Sequence, residues 1–177
     1  MKDNNRRRVK KSWGFTLIEM LVVLSILGVI AAVLFSAINP FAHLSKSNDA
    51  RRKSDLEAMQ HALELYYQDN SRYPASSADF KLYINNVTLA WGTAWQPYIR
   101  ALPKDPLLTN SYVYYSPASS NGQTYYLYAN LQRGNKDPQV CNNGSACASI
   151  AGGGGFPTAN ACGGTCNYGI SSPNVSP

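Results

Sequence analysis

The chain has 177 residues, 45% of them hydrophobic, four cysteines and a formal charge of +6, which leaves room for one core-forming domain and a membrane segment but excludes a second large domain. The positive charge would suit nucleic acid, yet residues 1–14 hold Lys2, Arg6, Arg7, Arg8, Lys10 and Lys11 against Asp3 alone, while the remainder balances ten bases against nine acids. The basicity therefore belongs to a leader, where it acts as a targeting and orientation signal that keeps the Lys/Arg end in the cytoplasm, and nucleic acid is not an expected partner.

Behind the leader, Met20–Ile38 runs for 19 residues without a formal charge. That is about the length a helix needs to cross the hydrocarbon layer. It exceeds the roughly 7–15 residues of a signal-peptide apolar region and no small-x-small cleavage site follows it, so a retained membrane helix is expected. Glu19 interrupts the start of this run. An ionisable group in lipid is costly and needs a partner; the alternative is an interfacial charge at headgroup level, since Glu19 lies only one helical turn into the run.

The stretch "GFTLIEMLVVLSILGVIAA" resembles the N-terminus of type IV pilins and of the pseudopilins of type II secretion, with the similarity strongest over residues 13–40. The resemblance implies an α+β, type IV pilin-like fold: a long N-terminal helix, membrane-spanning in its first half, packed on a small antiparallel sheet. It also implies cleavage after Gly14 by a membrane aspartic (prepilin) peptidase, N-methylation of the new terminus at Phe15, and an assembly role for Glu19. Physically, cleavage creates an α-ammonium at Phe15, and stacked subunits with an axial offset can bring Glu19 of one to the Phe15 amine of the next, neutralising both charges. Many relatives carry a proline where this chain has Ser36, and the proline here falls at Pro40. A bend or local melting in the filament is expected across Ser36–Pro40.

Residues 40–70 read as a second, exposed amphipathic half of the helix, ending near Asn70 because Tyr73 precedes Pro74. Leu56, Met59, Leu63, Tyr66 and Tyr67 form a stripe suited to a sheet, with Ala58, Ala62 and Leu65 on another side facing a filament axis. The basic cluster Arg51, Arg52 and Lys53 could meet lipid headgroups or DNA, but a solvated face with i,i+4 pairs Arg51/Asp55 and Lys53/Glu57 is expected. His43 and His61 are expected at the surface.

Residues 71–138 hold a connection and a sheet. Trp91, Trp95, Tyr98, Ile99 and Leu102 supply apolar mass that folds onto the helix, and "PYIRALPKDP" resembles the segment preceding the sheet in the G-type major pseudopilin. A hairpin is expected between "SYVYYSP" and "QTYYLYANLQ" across Asn121-Gly122. Tyr126, Tyr128 and Asn130 share one face of its second strand, and Tyr125, Leu127, Ala129 and Leu131 the other. A half-buried strand explains so many tyrosines more simply than a stacking platform for bases or sugars.

Residues 139–177 form a loop-rich tail, poor in charge and rich in Gly, Ser and Asn, with Gly152–Gly155 as a spacer. Cys141, Cys147, Cys162 and Cys166 are disulfide candidates rather than zinc ligands if this part lies outside the cell. Three pairings are open, and the local bridges 141–147 and 162–166 need least chain closure. G-type pseudopilins hold calcium in a C-terminal loop, but after Gly134 this chain offers only Asp137 as a carboxylate, so no cofactor is expected, with calcium the one candidate.

There is no Gly-x-Ser-x-Gly elbow, phosphate loop or His-Glu-x-x-His, and an enzyme is not expected. The expected role is a structural subunit of a type II secretion pseudopilus, a protein-export piston. It would be processed by prepilin peptidase and polymerised through its N-terminal helix on an inner-membrane assembly platform with its ATPase. The alternatives are a type IV pilus used for adhesion, motility or DNA uptake, and a non-polymerising membrane-anchored binding module. The expected location is single-pass in the cytoplasmic membrane with the C-terminal domain outside, and later in a periplasmic or surface filament.

Overall fold

In the computed structural model the described residues are 14–37, 40–151 and 157–177, and the chain divides at Pro40 into two units. The first holds α1, Leu17–Ala37. Its side chains are apolar all round, a pattern that suits lipid or a helical assembly rather than one face of a core, and none of the span Leu17–Phe35 is buried within the chain. Its one hydroxyl in mid-span, Ser25, donates back to the carbonyls of Leu21 (2.6 Å) and Val22 (3.1 Å), which leaves no unmet donor in an apolar setting. The bend expected across Ser36–Pro40 includes residues 38–39, outside the described residues, as do most of the leader and the Gly152–Gly155 spacer.

The second unit, here called the head, opens with α2, Pro40–Asn70. It stops at the expected place: Ser71 takes a left-handed conformation (φ 55°) and its amide bonds the Tyr67 carbonyl, after which Tyr73-Pro74 cannot continue a helix. Two small antiparallel sheets follow. One joins β1 (Ala75–Ser76), β2 (Leu82–Ile84) and β3 (Val87–Thr88) in sequence order. The other places β5 (Tyr126–Ala129) between β4 (Val113–Tyr115) and β6 (Tyr168–Ser171). The short helix α3, Ala148–Ala151, lies in the tail.

The expected hairpin is β4–β5, in register Val113 with Tyr128 and Tyr115 with Tyr126. Its loop contains Asn121 (φ 51°) and Gly122 (φ 74°), the left-handed residues that make an Asn-Gly pair a turn signal. The β1–β3 sheet within residues 74–104 is a finding the sequence pattern missed, because its strands are only two or three residues long.

Leu56, Met59 and Leu63 of α2 pack against Tyr125, Leu127, Ala129 and Leu131, with Trp95 and Leu102 joining from the connection. The helical stripe is as expected, with one correction: Ala62 is buried in the same core, while Ala58 and Leu65 remain exposed. A helix packed on a sheet buries a face about 100° wide or more, wide enough to include the residue beside Leu63. The second correction concerns β5, which is buried on both faces. Tyr126 and Tyr128 sit in a separate cluster with Val113, Cys147, Ile150, Cys162 and Cys166, so the tail covers the outer side of the sheet and adds β6 to its edge instead of hanging as loop.

Candidate functional site

The processing segment lies just ahead of α1. Gly14, Phe15 and Thr16 are non-helical and exposed, which leaves the 14–15 bond accessible. A side chain at Gly14 would meet nothing within 4 Å. The fold of the described residues therefore makes no demand for glycine at this position.

Glu19 is fixed by a pair of reciprocal contacts. The Thr16 amide and hydroxyl each donate to Glu19 Oε2 at 2.9 Å, and the Glu19 amide donates to Thr16 Oγ1 at 3.3 Å. This is a capping box, Thr-x-x-Glu, in which each side chain satisfies a backbone donor left over at a helix start. The box is written in the sequence as Thr16-Leu17-Ile18-Glu19, a local signal that the charge of Glu19 overshadows. Glu19 makes no ion pair among the described residues.

The head is held to the first half of α2 by charges that the sequence reading placed in solvent. Arg52 is fully buried. Its Nε and Nη2 donate to the two oxygens of Asp105 at 2.8 and 2.9 Å, and Nη1 donates to Asp49 at 2.9 Å. Asp49 also accepts the amides of Gln132 (2.8 Å) and Arg133 (2.9 Å), and Asp105 that of Leu107 (2.8 Å). Burial pushes the guanidinium toward losing its proton, but the hydrogen bonds and charges of Asp105 and Asp49 win and hold it more firmly charged than usual. A fork-shaped cation suits this double duty, whereas a lysine ammonium does not.

At the next residue, Lys53 Nζ lies 2.7 and 2.8 Å from the two oxygens of Asp137 and 5.7 Å from the centre of the Tyr168 ring. Lys53 thus pairs across the fold and not with Glu57. Burial pushes the Asp137 carboxyl up, but the Lys53 hydrogen bond, the Gln139 amide and the charges of Lys53 and Arg133 outweigh it and hold it below the ordinary range. Arg51 does meet Asp55, at 3.8 Å. Asp55 also accepts the Tyr112 hydroxyl at 2.7 Å, and burial leaves its carboxyl above the ordinary range. His43 and His61 are exposed as expected.

All four cysteines are bridged, Cys141 to Cys147 and Cys162 to Cys166, the two local pairings. Among the described residues no group of three or more His, Cys, Asp or Glu is arranged to hold a metal. Asp137, the one carboxylate the tail region offers to calcium, has both oxygens committed to an ammonium. Among the described residues, this arrangement does not fit a calcium site.

An apolar helix led by a Thr-Glu capping box and an accessible Gly-Phe bond, followed by a helix packed on an antiparallel sheet, defines the class of N-methylated, type IV pilin-like subunits. Comparison with known proteins agrees: residues 10–35 match the family described as the prokaryotic N-terminal methylation motif. Residues 39–142 match the family described as Type II secretion system (T2SS), protein G, and the chain belongs to that pseudopilin family. Curated relatives named type II secretion system core protein G include those of Vibrio cholerae (34% identical, 63% of this chain and 75% of that one), Escherichia coli (33%, 63% and 77%) and Pseudomonas aeruginosa (31%, 70% and 88%). No solved structure matched.

Proposed function

We propose that this chain is a structural, non-enzymatic subunit that loses residues 1–14 to prepilin peptidase, is methylated at Phe15 and polymerises as a type II secretion pseudopilus. One observation carries the reading: an apolar helix with none of its span buried by the described residues carries in its first turn a carboxylate with a backbone cap and no counter-ion among those residues. Such a helix is complete only in lipid or among copies of itself. Before assembly the subunit is held in the cytoplasmic membrane by α1 with the head outside, and an inner-membrane platform and its ATPase move it into the filament.

Co-expression with a prepilin peptidase followed by intact-mass analysis tests this. A chain beginning at methylated Phe15 is expected; a chain still beginning at Met1 beside an active peptidase would refute it. Gly14→Ala should block cleavage. Glu19→Ala should be cleaved and inserted yet fail to polymerise, and normal filaments from it would sink the charge-pairing step.

The type IV pilus remains the second reading, favoured by the disulfide-bearing tail, most of which lies beyond the family match that ends at residue 142. Deletion in the native host separates the two, since loss of an exported protein marks a pseudopilus and loss of adhesion, twitching or DNA uptake marks a pilus.

A further inference from the structure

The charge on the head is not distributed as its composition suggests. Three segments meet at the first half of α2: residues 41–54 of the helix, and the loops 103–108 and 131–140, which are tied to it through Arg52, Asp49 and Lys53. Together they carry seven bases and three acids. The three acids, Asp49, Asp105 and Asp137, all turn inward onto Arg52 and Lys53. What is left outside is Lys46, Lys104 and Lys136, with Arg133 half-exposed beside them and Arg51 paired to Asp55 just past the helical segment.

Exposed apolar side chains stand among them: Leu44 and, in the 103–108 loop, Leu108, which is 89% accessible. Bases interleaved with protruding aliphatic groups suit the boundary between lipid headgroups and acyl chains, where the cations meet phosphates and the apolar tips insert. Nucleic acid offers the phosphates but nothing for Leu108. The chain also fixes where this patch works. Lys46 follows the end of α1 at Ala37 by only nine residues, and Pro40 onward is already helix rising about 1.5 Å per residue, so the sequence keeps Lys46 close to whatever surface α1 emerges from.

We propose that this patch binds the anionic phospholipid surface of the membrane that holds α1, so that a subunit awaiting use rests its head on lipid phosphates and must be lifted from them when it enters a filament. The proposal needs α1 in a membrane but not any particular filament, and it stands or falls separately from the pseudopilus reading.

The test uses the full chain in nanodiscs of phosphatidylcholine alone or with phosphatidylglycerol at about 30 mol %, with lysine acetylation rates read by mass spectrometry; Lys46, Lys104 and Lys136 should react about threefold more slowly in the anionic discs. Lys81, in the β1–β2 turn beyond the far end of α2, should be unaffected. The protection should vanish in about 0.5 M NaCl, where the Debye length is short.

The variant Lys104→Gln/Arg133→Gln/Lys136→Gln changes exposed or half-exposed side chains and should abolish the protection of Lys46. Equal rates in the two discs would overturn the proposal. So would protection of Lys46 that survives in the triple variant, because that would be the surface potential acting on an unattached head. Protection that appears in neutral discs on adding duplex DNA, and in neither disc without it, would assign the patch to nucleic acid instead.

Discussion

The two long helices of this chain solve opposite problems. α1 has 21 residues, a surface that is apolar on every side apart from Glu19 and its serines, and a span of which nothing is buried by the described residues. α2 has 31 residues, and its apolar stripe, its buried arginine and its lysine are all satisfied by loops and strands of the head. The difference teaches where each helix finds its stability. α2 is a folding element and α1 a delivery and assembly element, so damage to α2 should show in the isolated subunit and damage to α1 only in company.

The sharpest break should come at Arg52. Arg52→Met strands Asp49 and Asp105 as uncompensated buried acids, and the head should lose about 3–5 kcal/mol in urea unfolding followed by tryptophan fluorescence. The adjacent exposed Arg51→Met should change stability by less than about 0.5 kcal/mol. Similar losses would return Arg52 to the surface.

A matched pair of truncations tests the contrast itself. Leu63→Ala opens a cavity in the core and should cost about 2–5 kcal/mol. Leu24→Ala in α1 should leave the unfolding of the detergent-solubilised head unchanged, and a comparable loss there would mean that α1 is part of the folding unit.

Lys53→Met sharpens the role of the internal ammonium, costing about 1–3 kcal/mol at neutral pH by leaving a buried carboxylate short of its donor. The sign of the pH dependence follows from the depressed carboxyl of Asp137. A group held below its unfolded value of about 3.9 contributes above that value and loses its contribution as pH falls through the folded one. The wild type should therefore resist acid down to below about pH 4, and Lys53→Met should unfold at a higher pH in an acid titration monitored by circular dichroism. The smallest effect is expected from a chelator. EDTA should leave the melting temperature unchanged, whereas a fall reversed by added calcium would reveal a metal site that Asp137 and its ammonium do not leave room for.

Much of the assembly segment was legible because its chemistry is contiguous: the Gly14-Phe15 bond, Glu19 and the uncharged run lie within two dozen residues. The α2 stripe and the β4–β5 hairpin were legible for the same reason, since helical spacing and an Asn-Gly turn are local signals. What escaped was long-range. Arg52 finds Asp105 across 53 residues and Lys53 finds Asp137 across 84, and nothing at residues 51–53 distinguishes a base that will be buried from one that will not. The tail misled for a related reason. Its composition is that of loop, but Tyr168–Ser171 needs only an open edge on β5 to become a strand, and composition does not report which edges a fold leaves open.

The Thr16–Glu19 cap changes the accounting at the filament core. A subunit in the membrane does not wait with a bare carboxylate, because Glu19 is already bonded to the amide and hydroxyl of Thr16. On the proposed pairing, a neighbour's Phe15 ammonium would meet a carboxylate that already holds a cap, so the event would be an exchange or sharing of partners rather than the rescue of a stranded charge.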